Sequence, residues 1–128
     1  MKINNVSRET FSKVVKEDNM KTIIRNIVNE RGNAVKNQFL IINGTNYTFQ
    51  SYETIIACLH AGSAFIDINE HAFYYSPTTT RHFLNYLENC LLNYKPTRKE
   101  VECWIEQGFI PRDNAYNTKI DIRIVSEF

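Results

Sequence analysis

The segment from Gln38 to Gln50 constrains this chain most. Gln38-Phe-Leu-Ile-Ile42 is a short apolar run, and Asn43-Gly44 follows it directly. Asn-Gly tolerates the positive φ angles of a type I′ turn, the tightest way to reverse a strand. Beyond it, Thr45, Tyr47 and Phe49 alternate with Asn46, Thr48 and Gln50, the period of a strand with two unlike faces. A chain with such a hairpin must extend it into an antiparallel sheet and cover the apolar face.

The flanking segments supply strands and covers. Ser7 can cap a helix over 8–17 with Phe11, Val14 and Val15 as its apolar positions. Met20, Ile23, Ile24, Ile27 and Val28 follow an i, i+3, i+4, i+7, i+8 pattern, which predicts a second helix over 20–31 with Asn19 as cap and Gly32 as terminator. Residues 51–60 fit either period: Tyr52, Ile55, Ile56 and Leu59 have helical spacing, whereas Thr54-Ile55-Ile56 is β-branched and favours a strand. Ala61-Gly62-Ser63 can close another hairpin into a strand at 64–68. Ser76 and Pro77 start a helix over 77–93, and Thr97-Arg-Lys-Glu100 is a capping box before Val101, Trp104 and Ile105. Gly108 ends that helix with Phe109 folded back on it, 111–117 is a loop, and 119–125 alternates as a half-buried strand. The expected fold class is α+β: a small, hairpin-rich antiparallel sheet flanked by helices at both ends, in a single domain over 1–128.

Charge is unevenly placed. The net charge is +1, but residues 1–36 hold eight Lys or Arg against four acids, and 37–93 hold only Arg81 against four acids. Lys13, Lys16, Lys21 and Arg25 are candidates for a basic helical face that could touch nucleic acid, although such a bias is also what a solvated helix face produces. No half is acidic enough for a DNA mimic.

The chemistry-bearing motifs are few. Cys58, Cys90 and Cys103 form no Cys-x-x-Cys pair and sit among apolar residues, so buried free thiols in a reducing compartment are expected. Cys58 and His60 would share a strand face as two metal ligands could, but a closed site needs a second pair. The sequence has no nucleophile elbow and no glycine-rich phosphate loop, and neither an enzyme nor a bound cofactor or metal is expected. The N-terminal residues lack the apolar run of a signal peptide, and no stretch has the length of a membrane span. The start of the 77–93 helix is the other candidate binding site. Its amides, Ser76, Thr78, Thr79, Arg81 and His82 could grip a phosphate or a partner, although the same residues also begin an ordinary helix.

Phe49-Gln-Ser-Tyr-Glu-Thr-Ile-Ile-Ala57, followed by Tyr75-Ser-Pro-Thr-Thr-Thr-Arg-His-Phe-Leu84, resembles an uncharacterised domain of small proteins from bacteriophages and other bacterial mobile elements. The likeness covers about 45–87 and departs from the pattern at Phe73 and Tyr74, near where that domain usually has Trp. It implies a phage or mobile-element accessory gene and a strand at 51–59, and it carries no catalytic residue. Short accessory proteins of that origin often bind and block a host protein. The resulting expectation is a non-catalytic, anti-CRISPR-like inhibitor of a bacterial defence effector such as a CRISPR nuclease, acting in the host bacterial cytoplasm. The alternative is a small phage regulator that binds nucleic acid through the basic N-terminal helices.

Overall fold

A computed structural model describes residues 21–71, 76–111 and 119–128. The elements are β1 (Thr22–Val28), β2 (Ala34–Asn43), β3 (Asn46–Ser51), β4 (Thr54–His60), β5 (Phe65–Asn69), α1 (Pro77–Cys90), α2 (Arg98–Gln107), β6 (Phe109–Ile110) and β7 (Ile120–Val125). All seven strands form one sheet in the order β1-β2-β3-β4-β5-β7-β6. β1 to β5 are an antiparallel meander, and the α+β class stands. The pairing departs from antiparallel once: β7 lies parallel to β5, with Phe65 opposite Asp121 and Asn69 opposite Val125. Both helices intervene between those strands, as a parallel pair requires of its crossover.

Asn43 pairs with Asn46, so the tight turn is Gly44-Thr45, one residue later than the alternation suggested. Gly44 has φ +64°, which an L side chain adopts only with strain. Residues 54–60 are a strand, reached through a turn at Tyr52 and Glu53. Tyr52 takes φ +54° there, and its N–H donates to Asn37 O at 2.7 Å.

The helix expected over 20–31 is absent. Thr22–Val28 is a strand, paired from Thr22 opposite Asn43 to Asn26 opposite Phe39, with a bulge before Val28. Five of its seven residues are β-branched, a composition that favours the pleated chain over the helix. Lys21 and Arg25 therefore lie on no helical face: Lys21 precedes β1, and Arg25 is an exposed residue within it. Lys13, Lys16 and the helix expected over 8–17 lie outside the described residues, and both described helices follow β5. Phe109 continues into the sheet, opposite Asp121.

Helix α1 packs across one face of the sheet. Its Phe83 and Tyr86 rings meet Phe49 of β3 at centroid distances of 6.3 and 5.3 Å. Leu40, Leu59, Ile66, Leu87, Val101 and Trp104 join the same core. Burial of each such side chain contributes about 1.5–3 kcal/mol, which makes this face the main source of stability. The Tyr86 hydroxyl also enters the sheet: it donates to Tyr47 O at 2.6 Å and accepts from the Leu59 N–H at 3.2 Å. Tyr47 and Leu59 are opposite residues of β3 and β4. Farther along α1, the Asn89 amide accepts from the Val28 N–H at 3.1 Å and donates to Val28 O at 3.3 Å. It thereby occupies both backbone groups of one residue on the edge strand.

Candidate functional site: a cationic cleft beside the first hairpin

The turn between β1 and β2 is built around Asn29. Its side-chain oxygen accepts from the Arg31 and Asn33 N–H groups at 2.9 and 3.0 Å, and its N–H donates to Asn33 O at 2.9 Å. Gly32, at φ +80°, completes the reversal. This tight turn projects Arg31 and presents Lys36 from the start of β2. Across from it stands the second turn of α1, carrying Arg81 and His82. Together they enclose a cleft of about 450 Å³ lined by Asn29, Glu30, Arg31, Asn33, Ala34, Val35, Lys36, Arg81 and His82.

The electrostatics of this cleft are one-sided. Glu30 is its sole acidic lining residue among the described residues, and Lys95 sits 2.9 Å from that carboxylate. The Lys95 hydrogen bond holds the Glu30 carboxyl below its ordinary range. Arg31, Lys36 and Arg81 are exposed and form no ion pair with any described residue. His82 is 5 % exposed, and its Nδ1 is shielded from solvent with no hydrogen-bond partner among the described residues. Burial, then the charge of Arg81, push its pKa below the ordinary 6.5, so the ring is neutral at pH 7. Three cations without an ion-pair partner among the described residues thus line the cleft beside a buried imidazole.

The other residues of the expected phosphate site have different work. Ser76 is the N-cap of α1: its Oγ accepts from the Thr79 N–H and donates to Thr79 Oγ1, each at 3.0 Å. The Thr79 amide is thus engaged within the cap, and Thr79 is buried. Thr78 is exposed and does not line the cleft. Arg81 and His82 belong to the cleft, one turn farther along. Arg31 and Lys36 were visible to sequence reasoning only as members of a basic third, although their position around Asn29-x-x-Gly32-Asn33 marks them as flanking a turn.

A second arrangement lies on the sheet face away from the helices, and sequence reasoning missed it. Asp67 of β5 is 7 % exposed and is gripped by Arg123 of β7, with Nε–Oδ1 at 2.7 Å and Nη2–Oδ2 at 3.0 Å. His60 Nε2 lies 3.1 Å from Asp67 Oδ2, and its Nδ1 lies 3.0 Å from Asn46 Oδ1. Both His60 and Arg123 stack on Phe65, at 4.3 and 4.2 Å. The Arg123 hydrogen bonds, reinforced by His60, hold the Asp67 carboxyl below its usual range despite burial.

Burial holds two of the three thiols in their protonated form. Cys58 Sγ accepts from Thr48 Oγ1 at 3.3 Å, and burial raises its pKa. Burial pushes the Cys90 thiol up to about 12. Cys103, expected to be buried, is exposed on α2. Among the described residues, no three His, Cys, Asp or Glu side chains are grouped as metal ligands, and no helix is long and apolar enough to cross a membrane.

No curated protein and no solved structure matches the chain significantly. A family model does, over residues 22–102, from the first strand into the second helix and through every residue of the cleft. The chain belongs to the family of unknown function DUF8033.

Proposed function

We propose that this protein is a non-catalytic binding protein that engages nucleic acid by its phosphates through the cleft between the β1–β2 turn and α1. The carrying observation is the convergence of Arg31, Lys36 and Arg81 there, with the one acid already neutralised by Lys95. Arg25 extends the positive charge, since it is opposite Leu40 and so shares the helix-covered face of the edge strand. Phosphate contacts release counterions, with a log-log salt slope of about −0.7 per contact on single strands. Three contacts predict a slope of about −2 for a single-stranded oligonucleotide, by the same relation. Replacing Arg31, Lys36 and Arg81 together by Gln should flatten that dependence. An unchanged slope in the triple variant would refute the reading.

A second reading has its own observation. The Asp67 network holds His60, Phe65 and Arg123 as a preformed imidazole–aromatic–guanidinium stack, and Arg and aromatic residues dominate the energetics of protein interfaces. On that reading the chain is a phage or mobile-element accessory protein in the host bacterial cytoplasm, and it inhibits a defence effector, a CRISPR nuclease foremost. Capture of such an effector that survives nuclease treatment and is lost in Arg123→Ala supports this reading. Capture of nucleic acid alone removes it.

A further inference from the structure

Within the nucleic-acid reading, on which this inference rests, the cleft suggests which part of the strand it holds. We infer that the cleft is a receptor for a terminal phosphomonoester, the phosphorylated end of a nucleic-acid chain, rather than for an internal phosphodiester. An internal phosphodiester carries a single negative charge, whereas a terminal phosphate carries about −1.5 to −2 at pH 7 and offers three acceptor oxygens. Arg31, Lys36 and Arg81 come from three separate places, the turn, the start of β2 and α1, and converge on one volume. Cations that only track a backbone would instead be strung along a groove. The Glu30 carboxylate is paired with Lys95, which leaves the three cations in excess over acid among the described lining residues. A cleft of about 450 Å³ has room for a phosphate and its nucleoside.

The second observation is independent of the cations. His82 contributes to the cleft wall, is 95 % buried, and its Nδ1 has no hydrogen-bond partner among the described residues. A buried polar atom left without a partner is costly, and such atoms in native proteins call for an explanation such as a ligand or a switch. A dianion bound between Arg81 and His82 supplies a charge to which the imidazole can respond by taking up a proton. Asn33, exposed on the turn and also in the lining, offers an amide that can meet the sugar or base behind the phosphate.

Fluorescence anisotropy on the full chain tests this with one ten-nucleotide single strand prepared three ways: 5′-phosphate, 3′-phosphate, and hydroxyls at both ends. A phosphorylated end should bind at least about tenfold more tightly than the hydroxyl strand, and inorganic phosphate should compete. Arg81→Gln should abolish the preference while leaving the melting temperature near that of the parent. The His82 ring resonances should shift with the phosphorylated strand and not with the hydroxyl strand. Equal binding of all three strands, with the salt slope intact, overturns the terminal-phosphate inference and leaves the nucleic-acid reading standing. Failure to bind any strand removes both. Competition by a phosphoserine peptide at lower concentration than by the phosphorylated strand would overturn the inference in favour of a modified protein.

Discussion

Replacing Tyr86 by Phe removes one oxygen atom from the junction between α1 and the sheet. The ring contacts with Phe49 and Phe83 survive, so no cavity beyond that oxygen is created. What is lost is a bridge: the hydroxyl donates to Tyr47 O and accepts from the Leu59 N–H, and the side chain is fully buried. Water cannot replace it without opening the core. A buried group that loses its partner costs about 1–3 kcal/mol, partly offset here because the hydroxyl itself no longer needs desolvating, which leaves about 2 kcal/mol. For a domain of this size, 1 kcal/mol corresponds to about 3–5 °C, so the melting temperature should fall by about 6–10 °C. Urea titration should show a lower midpoint at an unchanged m-value, and the Leu59 amide should gain hydrogen exchange beyond the global change. Tyr94→Phe is the control: its ring is exposed, its hydroxyl reaches only Glu100 at 3.4 Å, and its removal should stay within about 0.5 kcal/mol. A Tyr86→Phe protein as stable as that control would refute the claim that the hydroxyl ties β3 to β4.

Three further outcomes are expected. Asn89→Ala should cost about 0.5–1 kcal/mol, since the site is exposed and water can take over, and should raise the exchange rate of the Val28 amide specifically. Thr97→Ala should cost about 1 kcal/mol, because Thr97 Oγ1 accepts from the Glu100 N–H at 3.1 Å while Glu100 Oε1 accepts from the Thr97 N–H at 2.9 Å. Acidification should destabilise in two windows. His82 has a folded pKa below the ordinary 6.5, so the unfolded chain takes the proton first and stability falls as pH drops below that value. Asp67 likewise lies below its ordinary 3.8, and the stability of its charged form is lost as pH falls below that value. The melting temperature of His82→Gln should therefore fall less than the parent's between pH 7 and 5.5. Parallel curves would count against a buried neutral imidazole.

The elements defined by local chemistry were legible in the sequence. Asn43-Gly44 marked a hairpin, the Thr97–Glu100 spacing marked a capping box, and Gly108 marked a left-handed end at φ +92°. Strand β1 was misread because its apolar residues fall at neighbouring positions. Ile27 is fully buried on the helix-covered face, while Asn26 is opposite Phe39, 1 % exposed, on the second face. Ile23-Ile24 and Ile27-Val28 put apolar side chains on both faces of the strand, with Val28 39 % exposed, and that spacing imitates a helical stripe. Its β-branched content was the signal that should have prevailed. The Asp67–Arg123 pair could not be read in advance, because it joins residues 56 apart through a parallel pairing that no turn announces. The cleft falls between: Arg81 was visible at a helix start, while its convergence with Arg31 and Lys36 exists only once β1 and β2 are folded.

The parallel pairing of β5 with β7 also orders events in time. Each contact from β1 to β5 closes across a short loop, so that meander can assemble strand by strand from local hairpins, on the microsecond scale typical of such units. Strand β7 has no such route. Its register against Phe65–Asn69 is available only after the chain has passed through both helices, and closing so long a loop loses entropy before any contact compensates it. On that order, the Asp67 carboxylate would gain its guanidinium partner only when β7 docks. Slow folding in this protein should be slow docking of its C-terminal strand, and mutations in β7 should accelerate unfolding far more than they retard folding.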